Sequence, residues 1–175
     1  HKEPDKTAPI IYKIKIINKE VNPGDTLKLR IEASDTESGF DEKTSCSLNL
    51  YNGHNVITLV RAKYNINTGN FEVEYTIPSN MKSGNWWISS ISLYDKAGNY
   101  KYCENTDSTK YNFNVEYSFI GTENKVIKKG EEFDTLKGVI FSNNLEGDLT
   151  NKLEYYGQVN INKEGLYLIK YLVKG

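Results

Sequence analysis

The stretch "DTLKLRIEASD", residues 25–35, decides how the chain is to be read. Leu27, Leu29, Ile31 and Ala33 fall on one side of an extended chain, and Lys28, Arg30 and Glu32 on the other. That is a strand with one buried and one wet face, because successive side chains of a strand point to opposite faces. Read at the helical period of 3.6, the same residues scatter around the axis. The period of two recurs in "FEVEYTI" (71–77), with Phe71, Val73, Tyr75 and Ile77 on one face. It recurs again in "YNFNVEY" (111–117), with Tyr111, Phe113, Val115 and Tyr117.

Turn chemistry separates these runs at short intervals: Asn22-Pro23-Gly24-Asp25, Ser38-Gly39, Asn52-Gly53, Thr68-Gly69-Asn70, Ser83-Gly84 and Gly98-Asn99. Gly, Asn and Asp reach the backbone conformations that tight turns need, so strands at this spacing predict an all-β sandwich with about seven strands in the first 117 residues. The chain of 175 residues is long enough for one large or two small domains.

Composition narrows the function. Twenty-two Lys and Arg against 23 Asp and Glu leave a net charge of −1, without the basic excess from which a nucleic-acid binder draws its affinity. The mean hydropathy of −0.60 and the lack of an apolar run near 18 residues argue against a membrane-spanning helix. The polar opening, His1 to Lys6, reads as an interdomain linker or an added tail, so the chain reads as part of a longer protein.

The order of these motifs resembles a bacterial immunoglobulin-like domain of the kind strung along secreted and cell-wall proteins. The resemblance is carried by "DKTAPIIYKIKI" (5–16), "VNPGDTLKLRIEASDTESGF" (21–40) and "TGNFEVEYTIPSNMKSGNWWISSISLYDKAGN" (68–99). Within them stand Asp-x-x-Ala-Pro before the first strand, Gly24-Asp25 before the second and Asp-x-x-Ser-Gly after it. Gly-x-Trp then leads to Asp-x-Ala-Gly-Asn. Residues 118–175 resemble a second, shorter module, the Ig-like type also found in a pesticidal crystal protein, through "VIKKGEEF" (126–133) and "EGDLTNKLEYYGQVNINKEGLYLIKYLV" (146–173). The expected architecture is therefore all-β, two Ig-like β-sandwich modules in tandem at 1–117 and 118–175, the second lacking its last strand. In that module Tyr167, Ile169, Tyr171 and Val173 alternate with Leu168, Lys170 and Leu172, which predicts a strand running almost to Gly175. The resemblance implies one more strand beside it. An open edge there would be a pairing template, so the chain is expected to stop short of a native end or to accept a strand from a neighbouring molecule along Tyr167–Val173.

The resemblance implies a non-catalytic role as a spacer, adhesin stalk or binding accessory of a secreted or cell-wall protein. Neighbouring domains of the same polypeptide and a cell-surface glycan or protein are the expected partners. The residues agree. A general base near neutral pKa is offered only by His1 in the tail and His54 beside the Asn52-Gly53 turn, and the sequence holds no Gly-x-Ser-x-Gly, no His-Glu-x-x-His and no phosphate-cradling loop.

Four questions remain for the structure. Trp86 and Trp87 are adjacent, so one must face the core and the other the outer face. Strict alternation with Ile91 and Leu93 turns Trp87 inward; the Gly-x-Trp pattern turns Trp86 inward, with Ile88, if a bulge at Ser89-Ser90 shifts the phase. The outward ring is the ligand-binding candidate, able to stack on a sugar, cover a domain junction or lie under a lysine stem. Asp35, Glu37 and Asp41 on one inter-strand loop and Asp95 and Asn99 on another crown the same end of the sandwich. They form a candidate Ca²⁺ site whose alternative is a set of ordinary Asx turns. Cys46 and Cys103, the only cysteines, approach the same end. Export permits a disulfide, whereas strands two apart in one sheet are too distant for one, and both readings stay open.

Overall fold

The computed structural model describes residues 3–173; His1, Lys2, Lys174 and Gly175, and with them the ends of the polar opening and of the last predicted strand, lie outside the described residues. The fold is all-β and Ig-like, with one helical turn at Thr150–Lys152 and otherwise only strands among the described residues. The larger part holds β1 (Ile10–Ile16), β2 (Glu20–Val21), β3 (Thr26–Ser34), β4 (Cys46–Tyr51), β5 (Val56–Asn65), β6 (Asn70–Thr76), β7 (Gly84–Tyr94), β8 (Tyr100–Glu104) and β9 (Asn112–Val115). The C-terminal part holds β10 (Tyr117–Ile120), β11 (Ile140–Asn143), β12 (Gly147–Asp148), β13 (Leu153–Tyr156) and β14 (Lys170–Val173).

The larger sheet runs β1-β3-β6-β5-β4-β7-β9-β2, with β8 also on β7. It folds on itself at β5. Residues 56–62 of that strand pair with β4, and its last residues, Lys63 to Asn65, change partner to β6. A strand that serves both layers closes the corner of the sandwich without a free edge there. The two layers meet over one continuous apolar cluster running from Ile16 to Val115. The predicted inner faces are recovered: Leu27, Leu29, Ile31, Ala33, Phe71, Val73, Ile77, Phe113 and Val115 are buried, and Tyr75 is partly covered. Phe40, outside any strand, caps the cluster with an edge-on contact to Phe71, centroids 5.0 Å apart.

Two predicted strands end sooner than their alternation implied. The run Tyr111–Tyr117 is divided: Tyr111 has a φ of 52° and sends its carbonyl to the Ile88 N–H. Phe113 and Val115 stay with the larger sheet, and Tyr117 already pairs with Asn143 in the C-terminal part. The ladders therefore change hands at Glu116. The strand expected from Tyr167 is β14 alone. Its partner β13 stops at Tyr156, where the ladder ends at Lys170; the next residue, Gly157, has a φ of +108° and lies so close to the Leu168 carbonyl that a Cβ would clash with it. β14 is paired on one edge only among the described residues.

The C-terminal part is small. Val139, Phe141 and Leu149 are its buried apolar residues, with Tyr117 stacked on Phe141 at 5.1 Å and Phe119 at 4.9 Å. A cavity of about 600 Å³ separates its segment 121–129 from segment 159–171. No helix of the described residues is long and apolar enough to cross a membrane.

Candidate functional site

The tryptophan question is settled by one extra residue. Leu50 of β4 pairs with Ile88 while Asn49 pairs with Ser90, so Ser89 has no opposite number and the strand bulges there. Its neighbours hold it in place. Ser89 accepts from the Asn105 N–H and Ile88 from the Asn105 side-chain amide, while Tyr111 takes the Ile88 N–H. The phase flips across the bulge, so Trp86 and Ile88 face the core on one side of it, and Ile91 and Leu93 on the other.

Trp86 is 2% exposed and donates its indole N–H to the Lys82 carbonyl at 2.8 Å. Of the two rings from which the ligand-binding candidate was to come, Trp86 is the inward one, as the Gly-x-Trp pattern has it, and is a core plug that no sugar can reach. Trp87 lies on the outer face, opposite Tyr51 in the β4–β7 register, and meets that ring edge-on at 5.1 Å and 71°. It packs beside Gly53. Its indole nitrogen is buried without a hydrogen-bond partner. The ring is thus committed to Tyr51 and to the turn at residues 52–53.

The exposed aromatics of this face lie at the other end of the same strand. Tyr94 sits opposite Tyr100 with ring centroids 4.8 Å apart, and Tyr102 sits opposite Ser92, whose hydroxyl is 3.2 Å from that of Tyr100. The three tyrosines are 41%, 47% and 50% exposed. Ser47 and Arg61 continue the same row across β4 and β5. Sequence reading passed over these tyrosines because alternation alone does not say which strand lies alongside β7.

At the pole where residues 3–9 enter, three carboxylates converge. Single oxygens of Asp5, Asp35 and Asp95 lie within 4.8 Å of one another, and Asp95 is buried. The predicted set is corrected in its membership. Asp35 and Asp95 do meet, but Glu37 turns away to accept from the Thr7 hydroxyl, and Asp41 caps its own turn through Lys43 and Thr44. Asn99 enters as a donor, giving its side-chain amide to Asp95 and to the Asp5 carbonyl. Asp5, the member that sequence reading missed, comes from the Asp-x-x-Ala-Pro segment ahead of the first strand.

Every carboxylate oxygen of the three already accepts a hydrogen bond. Asp5 takes the N–H groups of Thr7 and Ser38. Asp35 takes those of Glu37, Ser38 and Gly39 and the Ser38 hydroxyl. Asp95 takes the Asn99 N–H and amide. Hydrogen bonding from Ser38 and then Thr7 holds the Asp5 carboxyl below its ordinary value of 3.8. Burial pushes that of Asp35 upward, and the Glu37, Ser38 and Gly39 donors outweigh it, so it too lies below 3.8. The arrangement straps the incoming segment across two loops of the sandwich. As a cation site it offers three carboxylates whose oxygens are already engaged in hydrogen bonds, where Ca²⁺ takes six to eight oxygen ligands.

The cysteines are two free thiols. Cys46 of β4 pairs with Leu93, and Cys103 of β8 pairs with Ile91, so β7 lies between them. Two strand spacings put the chains about 9.5 Å apart, beyond the roughly 4.4–6.8 Å Cα separation of a disulfide. Of the two readings left open by the sequence, the distance argument holds. Burial pushes the Cys46 thiol up to about 12.

This is an all-β Ig-like protein whose surface shows a carboxylate strap at one pole and a tyrosine row on one face. The sequence model of the family described as "Domain of unknown function (DUF7743)" matches residues 3–134, more than half of the chain, and the chain belongs to that family. Residues 117–175 match the family described as "Bacterial surface protein, Ig-like domain", which fits a module of the bacterial surface. Among solved structures, Cwp6 from Clostridium difficile is similar over 73% of this chain at 16% identity, with a TM-score of 0.43, and the chain spans 20% of that protein's length. No curated protein matches the chain.

Proposed function

We propose that the chain is a non-catalytic pair of Ig-like modules that serves as a spacer or stalk in a larger exported bacterial protein, secreted or held in the cell wall. It would present neighbouring domains of the same polypeptide at a distance and offer its faces to surface partners. The observation that carries this reading is the match of residues 117–175 to a bacterial surface Ig-like domain, joined through the single residue Glu116 to the larger sandwich. The non-catalytic reading is supported by His54, the one histidine among the described residues, which stands exposed on the turn after Asn52, away from the carboxylate cluster. Protease shaving of intact cells of the parent organism tests the location. Peptides from this chain should be released without lysis, and recovery only from the cytosolic fraction would refute it.

A second reading, a carbohydrate-binding accessory module, is favoured by the exposed Tyr94, Tyr100 and Tyr102 beside Ser92. Aromatic faces suit the C–H faces of a sugar ring, and hydroxyls at their rim suit its polar edge. Trp86, buried in the core, does not contribute to it; Trp87 stands toward the other end of β7, packed edge-on against Tyr51. A glycan array with the chain and its Tyr100→Ala variant decides: glycan binding lost in the variant supports this reading, and no binding by the unchanged chain removes it.

A further inference from the structure

We infer that the two parts of the chain move as one rigid body, latched by the loop between β6 and β7. The inference does not depend on what the protein presents or binds.

Rotation between two domains normally comes from a linker with free dihedral angles, and modest interfaces leave such motion as the default. Here the linker is almost absent. Val115 is still paired, to Val21 and Gly84, and Tyr117 is already paired to Asn143, which leaves Glu116 as the one residue between the ladders. Even Glu116 is held, because its N–H donates to the Val21 carbonyl at 2.9 Å. A planar peptide backbone has two soft dihedrals per residue, so the joint has little freedom of its own.

The loop at residues 77–83 removes the rest. It is fixed to the larger sandwich at three points. The Ile77 N–H donates to the Asp25 carbonyl at 2.8 Å, Met81 is buried in the core, and the Lys82 carbonyl accepts the Trp86 indole N–H. From this anchored loop three contacts reach the C-terminal part. The Ser79 carbonyl accepts the Phe119 N–H at 2.9 Å, the Ser79 hydroxyl accepts that of Thr122 at 3.2 Å, and the Ser83 hydroxyl donates to the Asn144 side chain at 3.3 Å. Gly84 completes the latch. At φ +115° it leaves the space that a Cβ would fill, and the Asn144 amide occupies it. The latch thus engages the C-terminal part at two separate places, β10 and the turn after β11, which restrains bending and twisting together.

The test is backbone ¹⁵N relaxation on the whole chain. Amides of β3–β7 and amides of β10 and β11 should report one overall correlation time. Two distinct values in the unchanged chain would overturn the inference. A Gly-Ser-Gly insertion between Glu116 and Tyr117, combined with Asn144→Ala, should split the value in two, with that of the C-terminal part falling toward the value for a domain of its own size. Chemical shifts away from the junction should stay unchanged and show that both parts remain folded. A single correlation time that survives insertion and substitution would overturn the roles given to the one-residue joint and to Asn144, leaving the Ser79 contacts with Phe119 and Thr122 as what couples the parts.

Discussion

Replacing each tryptophan by phenylalanine separates the two phases of β7. In Trp86→Phe the indole bond to the Lys82 carbonyl is lost, worth about 1 kcal/mol net. The smaller ring in a site 2% exposed leaves a void. That adds about 1–2 kcal/mol, below the roughly 3–5 kcal/mol of full truncation to alanine. The larger sandwich should lose about 2–3 kcal/mol in all. In Trp87→Phe the balance differs. The indole N–H of Trp87 is buried and unpaired, and leaving such a donor unsatisfied costs about 1–3 kcal/mol. Its removal offsets the lost ring area, and the edge-on contact with Tyr51 can be kept by a phenyl ring. The expected change is within about 1 kcal/mol of zero, with either sign. Urea unfolding followed by the fluorescence of the remaining tryptophan reads the larger sandwich alone, because the sequence has only these two tryptophans. With a denaturant slope of about 1.5 kcal/mol/M, the Trp86→Phe midpoint should fall by about 1–2 M and that of Trp87→Phe should hardly move. Equal losses, or the reverse order, would refute the bulge at Ser89 as the device that sets which ring is inside.

Thiol titration should find two reactive cysteines in denaturant without reductant. In the native protein Cys103 should react far faster than Cys46, whose thiol is pushed up to about 12 by burial; absence of free thiols in denaturant would contradict the register. Asp5 and Asp35 are depressed below 3.8 in the folded state. Their contribution is therefore present above that value and is lost as pH falls through the lower folded values. Stability of the larger sandwich should be flat near neutrality and fall on acidification, and Asp35→Asn should weaken that acid limb; an unchanged limb would show that the strap does not couple to protonation. Because every oxygen of Asp5, Asp35 and Asp95 already accepts a hydrogen bond, the melting temperature should coincide in calcium and in chelator. A rise of several degrees in calcium would show that the strap opens to take an ion.

The alternation in "DTLKLRIEASD" and its relatives was enough to define an all-β chain and the inner faces of β3 and β6, because a period of two is a local property of extended backbone. The turn residues marked where strands stop for the same reason. What stayed illegible depends on neighbours distant in sequence. Which tryptophan is inside was decided by Ser89 having no partner across β4, and by Asn105 and Tyr111 holding the bulge. That β7 separates the two cysteines follows from strand order, which alternation does not encode. The loops that crown one pole were legible from their acidic turns, yet which carboxylates meet was decided by the incoming segment, which places Asp5 against Ser38 at a sequence separation of 33 residues. That the last strand is paired only from Lys170 onward was likewise set by its partner β13, which ends at Tyr156 ahead of Gly157, close in space to Leu168. Local periodicity fixes the face a side chain takes within its own strand; the partner across the ladder fixes the phase, and only the folded chain supplies that partner.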